Sequence, residues 1–432
     1  MKISSNPKAL LPIAVFLILY LGSGIYFEYI SPAEDRMGFY VMSVVVAFGL
    51  ALIVAFLQNR KLSFEEKIKV CARGIGDDNI VIMLFVFLMA GAFSGLAKQA
   101  GGASATANLL LDVVPDGFVI PGLFIVACLI SMAMGTSVGT ISVIVPIAAE
   151  VSASTNISLP ILVASVVGGA MFGDNLSVIS DTTIAATRTQ GVEMKDKFKM
   201  NIKIALPAAA VTLIILIIYS FSQSNTHISD FDYNIWLAVP YFIVLILALI
   251  GLNVFLVLGI GIMLLGLIGT IAGTITFETA FTAMGDGTAG MFETMVVTIL
   301  VASISALMKE YGGFEAILSF IRKHANSKRG GMLGICALTG MMDIATANNT
   351  VAIVIAAPIA KDISDEYGVE PKKVASLLDT CSCVFQGIIP YGAQLLVAAG
   401  ICGISSMSII PFLFYPFLLA ICMIVSIVFD KS

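Results

Sequence analysis

The sequence predicts an all-α polytopic membrane protein of about 12–14 transmembrane helices, arranged as two inverted-topology repeats with broken helices and re-entrant segments. Composition, the spacing of apolar stretches and a recurrence near mid-chain predict it. Hydrophobic residues make up 59% of the 432 and charged residues 12%, whereas soluble domains carry about 25% charged residues. Mean hydropathy is +1.02. The net charge of −5 says little about partners, because the charges collect between apolar runs. The partner composition implies is the lipid bilayer; no nucleic acid is expected.

The elements follow in order. Lys2 and Lys8 precede an apolar run from Ala9 to about Tyr26. This run is too long for a typical signal-peptide core and lacks a small-residue cleavage site, so it reads as the first span. Stretches long enough to cross hydrocarbon are Leu10–Ile30, Gly38–Leu57, Asn79–Ala97, Phe118–Met134, Thr136–Val151, Leu159–Arg188 and Asn201–Ser222. The second half offers Asn234–Leu252, Val254–Ala272, Gly290–Met308, Gly330–Thr346, Asn348–Ile363, Val374–Ile389 and Ile409–Phe429. Shorter amphipathic pieces are expected at Gly101–Val114 and Phe314–Ala325.

With both termini in the cytoplasm, these spans put 21 of the 23 lysines and arginines on the cytoplasmic side, leaving only Arg36 and Lys98 outside. That set includes Lys195, Lys197 and Lys199, read as loop residues ahead of a span starting at Asn201. The bias matches the positive-inside rule and supports a multi-pass protein of the cell (inner) membrane.

The halves recur at an offset of about 210: Gly101-Gly102 against Gly312-Gly313, Gly76-Asp77 against Gly285-Asp286, Pro146 against Pro358. The chain therefore divides into residues 1–222 and 223–432 within one membrane domain. Seven spans per repeat is odd, so the second copy runs through the membrane upside down.

Polar residues inside such spans are costly and mark function. The stretch Gly168–Thr189 holds Asp174 and Asp181 with Ser177 between them. As one helix, Leu159–Arg188 would be about 45 Å long against about 30 Å of hydrocarbon, so it must tilt, protrude or break. Gly173-Asp174-Asn175 is the expected break, with Asp181 either in the site or capping a cytoplasmic extension. Gly135–Ser142, containing Thr136 and Ser137, and Asp343–Thr350, containing Asn348 and Asn349, are two further breaks. Gly135 and Gly139 read equally well as a packing face. Leu378–Gln394 holds a single carboxylate, Asp379, with Gln386 and Gln394 near the repeat positions of Asp174 and Thr182. Asp343 and Glu293 are further candidates that could sit near span ends. The seven cysteines lack metal-ligand spacing and read as packing residues; no zinc, haem or other cofactor is expected.

GDNLSVISDTT, with the GTSVGT and ANNT segments, resembles the NhaC family of sodium/proton antiporters from about Ile75 to Gly403, with Val178 where that family usually has proline. The resemblance implies a secondary transporter rather than an enzyme, exchanging sodium for protons by alternating access and leaving a homodimer open. It carries Asp174, Asn175, Ser177, Ser180, Asp181, Thr182 and Thr183 over as the cation-site motif, with Asp174 and Asp181 as the sodium carboxylates. Hydroxyls and carbonyls would complete a hard-cation shell. One alternative is a sodium- or proton-coupled carrier of an amino acid or small carboxylate, held at the helix N-termini beginning at Thr136 and Asn348. A remote alternative is an intramembrane aspartyl protease, from the Gly74–Asp77 sequence G-I-G-D.

Overall fold

The computed structural model describes residues 4–30, 41–177, 180–223, 233–324 and 327–430. Lys2, Arg36, Val178, His227 and Lys431 lie outside them. No strand occurs among the described residues. The first half comprises α1 (Leu11–Ile25), α2 (Val44–Leu57), α3 (Phe64–Ile75), α4 (Asp78–Ala100), α5 (Gly102–Val113), α6 (Val119–Met134), α7 (Ser137–Ser154), α8 (Leu159–Leu176), α9 (Asp181–Gln190) and α10 (Met194–Gln223). The second comprises α11 (Ile235–Leu249), α12 (Val254–Ile271), α13 (Phe277–Gly290), α14 (Phe292–Glu310), α15 (Gly313–His324), α16 (Lys328–Thr346), α17 (Asn349–Tyr367), α18 (Pro371–Gln386), α19 (Ala393–Cys402), α20 (Ser406–Ile409) and α21 (Phe414–Val428).

Each apolar stretch read from the sequence carries helix over most of its length among the described residues, Leu159–Arg188 as the two helices α8 and α9, and both amphipathic pieces form, as α5 and α15. Among the described residues, seven helices are long and apolar enough to cross a membrane, or eight counting α19 with the Ser406–Phe412 segment, which bends away from it by 101°. The figure falls below fourteen because several stretches are short arms or broken pieces. α6 and α7 meet at a two-residue turn, as do α16 and α17, and α8 gives way to α9.

Three helices of ten residues or more escaped the sequence reading, α3, α13 and α19, the last lying between Val374–Ile389 and Ile409–Phe429. α3 opens with a capping box, in which Ser63 accepts from the Glu66 N–H and Glu66 accepts from the Ser63 N–H. α13 opens the same way at Thr276 and Thr279. Such boxes are readable N-terminal signals, but polar residues and glycine diluted the apolar pattern that follows them. With α3 and α13 included, the order from α2 to α10 recurs from α12 to α21 at about the offset seen in the sequence.

α8 sits at the centre, with every residue from Ile161 to Leu176 buried. Glycine makes that possible. A Cβ at Gly169 would meet the Phe124 carbonyl at 2.3 Å, and one at Gly173 would meet the Cys128 carbonyl at 2.6 Å. α6 thus lies directly on the α8 backbone. The two halves also exchange helices. Gly74 of α3 packs on Ala302 and Ala306 of α14, while Gly287 of α13 packs on Gly91 and Gly95 of α4. Small residues let the backbones touch, which is how helices associate where the hydrophobic effect offers no preference for protein over lipid. Outward faces stay apolar, as Leu206, Ile214 and Ile218 on α10 and Leu256, Met263 and Leu267 on α12 show.

A Cβ at Gly287 would stand 2.1 Å from the Gly91 carbonyl. Gly287→Leu should therefore force α13 off α4 and lower stability by at least about 1–3 kcal/mol. Thermal unfolding of the purified protein in detergent, with unchanged stability for Gly290→Leu at an open position as control, checks this.

Candidate functional site

The α8 helix does not break at Gly173-Asp174-Asn175. It continues to Leu176 and stops at Ser177, and α9 starts at Asp181. Gly173 serves close packing against α6, so its helix-breaking tendency is overridden by tertiary contact. The displacement leaves Asp174 and Asn175 in the last turn of α8, pointing in different directions. Ser180, not Asp181, caps α9, accepting from the Thr183 N–H. Asp181 is the first residue of α9 and is exposed.

Both helix–turn–helix units bring their turns to this break. Gly135 ends α6 with φ 68°, and Thr136 caps α7 by accepting from the Gly139 N–H. Ala347 ends α16 with φ 48°, and Asn348 caps α17 by accepting from the Val351 N–H. Gly135 supplies backbone geometry. Gly139 supplies proximity, since a Cβ there would meet Val254 at 2.8 Å.

Two polar assemblies result. The first surrounds a cavity of about 400 Å³, lined by Thr136, Ser137, Asp174, Asp181, Thr182, Asn253, Asn348, Asn349, Gln386 and Gln394 among others. Among the described residues its walls hold two carboxylates and no lysine or arginine. Ser137 donates to Asp174 Oδ2 at 2.8 Å, Gln394 donates to Ser137 Oγ at 3.0 Å, and Gln386 donates to Gln394 Oε1 at 2.9 Å. A hydrogen-bonded chain thus links Asp174 to the second half.

The second assembly lies behind α8. Asp379 and Lys197 form an ion pair at 2.7 Å, with side chains 0% and 1% exposed. The Lys197 ammonium also donates to the Asn175 carbonyl and to Thr183 Oγ1, both at 2.6 Å. Asn201 donates to Asp379 Oδ2 at 2.8 Å, and Asn175 Nδ2 to the same oxygen at 3.2 Å. Thr183 donates to the Ser177 carbonyl, closing the gap in the backbone, and Ser177 donates to the Met132 carbonyl.

Of the residues singled out from the sequence, Asp174, Asp181, Thr182, Thr136, Ser137, Asn348 and Asn349 share the cavity. Asn175, Thr183 and Asp379 belong to the assembly behind α8, while Ser177 and Ser180 brace the break. Lys197 corrects the sequence reading. It is no loop residue but a buried member of α10, which starts at Met194 rather than Asn201. A signal for this existed: Lys197, Asn201, Ala205 and Ala208 form one buried stripe at helical spacing. Asp77, raised as a protease residue, is exposed just ahead of α4, and its carbonyl accepts from the Val81 N–H. Cys381 and Cys383 are buried packing residues.

A polar cavity enclosed where helices break is the architecture of a membrane transporter, and kinship supports that class. The chain belongs to the Na+/H+ antiporter family, whose profile it matches over residues 2–221 and 224–430. It is 21% identical to the malate-2H(+)/Na(+)-lactate antiporter of Bacillus subtilis, covering 95% of this chain and 92% of that one. It is 23% identical to the Na(+)/H(+) antiporter NhaC of the same organism, covering 87% and 90%. Among solved structures, the YdaH transporter of Alcanivorax borkumensis matches at 14% identity and a TM-score of 0.42, over 98% of each chain.

The buried ion pair gives a stability test. Lys197→Met leaves the Asp379 carboxylate without its cation and should cost about 3–5 kcal/mol, whereas Lys197→Met with Asp379→Asn should recover most of that loss. Unfolding midpoints of the three proteins decide it; a double variant no more stable than the single one would remove the charge argument.

Proposed function

We propose that this antiporter exchanges sodium ions for protons across the cell membrane, with Asp174 as the carboxylate the two ions share. The observation that carries this reading is the placement of Asp174. It is a buried carboxylate on the last turn of a broken helix, held by Ser137 from the facing turn and open to a cavity whose charges among the described residues are all acidic. A hard monovalent cation suits carboxylate, hydroxyl and amide oxygens. Asp181, Thr182, Thr136, Asn348 and Asn349 would complete its shell as the cavity closes.

The mechanism follows from charge. An ionised carboxylate enclosed in a low-dielectric interior is stable only with a partner cation, and either a proton or a sodium ion satisfies that need. The loaded protein of either kind can reorganise, while the bare carboxylate holds the cavity open to water. Exchange then needs no contact between the two ions. We further take residues 1–222 and 223–432 as inverted repeats that rock against each other, with both termini cytoplasmic, in keeping with the recurrence of helices and the lysine and arginine count. A second cavity of about 300 Å³ shares Asn348 with the first and reaches Arg73 and Lys309, on the side assigned to the cytoplasm. It would serve as the inner route.

The two cavity-facing helix N-termini, at Thr136 and Asn348, and the kinship with a malate/lactate antiporter favour a second reading, exchange of small carboxylates. Absence of lysine and arginine from the cavity wall weighs against it.

Proteoliposomes with an imposed sodium gradient and an internal pH dye test the primary reading. Asp174→Asn should abolish sodium-driven proton movement. In the wild type, the apparent KM for sodium should rise as pH falls, approaching about tenfold per pH unit where the two ions compete for one carboxylate. Full exchange in Asp174→Asn sinks the assignment. Labelled lactate or malate uptake without a sodium-driven pH change selects the second reading.

A further inference from the structure

One carboxylate outside both assemblies has no counter-charge. Asp343, on α16 four residues before the C-cap Ala347, is fully buried, and the Gln386 backbone N–H is directed at its carboxylate without closing a hydrogen bond. Among the described residues no lysine, arginine or histidine pairs with it. The titratable groups that feel it are Cys381 of α18 and Tyr391 beyond the end of α18. Each donates elsewhere, Tyr391 to the Ile344 carbonyl at 2.7 Å and Cys381 to the Cys336 carbonyl at 2.9 Å. A third acceptor nearby, Gln386 Oε1, is also buried without a donor. Ala347 ties the two residues together: its N–H donates to the Asp343 carbonyl at 2.7 Å, and its own carbonyl accepts from Gln386 Nε2 at 3.1 Å.

Three buried acceptors at one helix end, none with a closed hydrogen bond, cost about 1–3 kcal/mol each, and an ionised carboxylate without a counter-charge costs more. One proton eases the conflict: it neutralises Asp343 and turns one of the three acceptors into a donor. Gln386 also stands at the end of the chain that runs through Gln394 and Ser137 to Asp174. What happens at Asp174 can therefore be felt at the Gln386 amide, and through Ala347 at the end of α16.

We propose that Asp343 is a second coupled proton site, taking up a proton on one side of the membrane and releasing it on the other in each cycle, in addition to the exchange at Asp174. The step makes and breaks only the carboxyl O–H bond. It rests on the reading of Asp174 as the shared cation site, and it assigns to the second half a carboxylate that holds protons and not sodium.

Asn is the isostere of a neutral aspartic acid, so Asp343→Asn preserves shape while removing titration. In proteoliposomes, the number of protons moved per sodium, measured from reversal potentials, should fall by one in Asp343→Asn, with sodium flux retained. Asp343→Glu should keep the wild-type ratio. An unchanged ratio in Asp343→Asn overturns the proposal, since a permanently protonated structural residue would give that result. Infrared difference spectra of the purified protein between acid and alkaline pH provide a readout independent of transport. One component of the pH-dependent protonated-carboxyl bands, distinct from the one removed by Asp174→Asn, is expected to be missing from Asp343→Asn. An unchanged set of bands in Asp343→Asn overturns the proposal, even where the variant does not transport. If the wild type shows no sodium/proton exchange, the cation reading of Asp174 fails, and the infrared comparison still decides Asp343.

Discussion

A lysine ammonium bridging three oxygens holds the broken-helix region and the candidate site together. Lys197 of α10 reaches the Asn175 carbonyl at the end of α8, the Thr183 hydroxyl at the start of α9 and the Asp379 carboxylate of α18. A helix interrupted inside a membrane protein leaves carbonyls and N–H groups that neither lipid nor distant water can satisfy. Here the ammonium and the Thr183 hydroxyl take the carbonyls, the Ser180 hydroxyl takes an N–H, and Asn201 holds the carboxylate from the side. Because the same cation contacts both halves of the chain, the break and the packing of α10 against α18 depend on one another.

With the backbone and Asp379 satisfied behind α8, Asp174 can face the cavity. This separation of duties explains why adjacent residues differ in role. Asn175 bonds into the ion pair and Asp174 faces the cavity, from adjacent positions about 100° apart on the same final turn. The second half repeats the architecture with different chemistry. Its turn uses Ala347 in the left-handed region where the first uses Gly135, accepting a backbone strain of about 1–2 kcal/mol. Its broken helix presents Gln386 and Gln394, neutral amides that relay hydrogen bonds. Charge in the cavity is therefore one-sided although the fold is nearly repeated.

The sequence made the helical, membrane-embedded class legible because hydrocarbon imposes length and composition on every span. The recurrence near 210 residues anticipated even the pairing of the two turns. It was a poor guide at boundaries. Lys195, Lys197 and Lys199 look alike in a polar run, and only the helical register of α10 turns Lys197 inward while the other two face outward. Gly173 looked like a breaker, and only contact with α6 shows it to be a packing glycine. The α3 and α13 helices carried capping boxes that apolar counting passed over.

By itself, then, the sequence determined the solvent in which this protein folds, the number of its apolar stretches to within their broken pieces, and the polar segments worth watching. These follow from local composition, which the bilayer reads residue by residue. Tertiary structure alone decided which polar groups satisfy one another. It paired Lys197 with Asp379 across 182 positions, set Ser137 on Asp174, and left Asp343 without a counter-charge among the described residues. Partnership in a low-dielectric interior depends on distances of about 3 Å between side chains from different helices, and nothing local in a sequence encodes those distances.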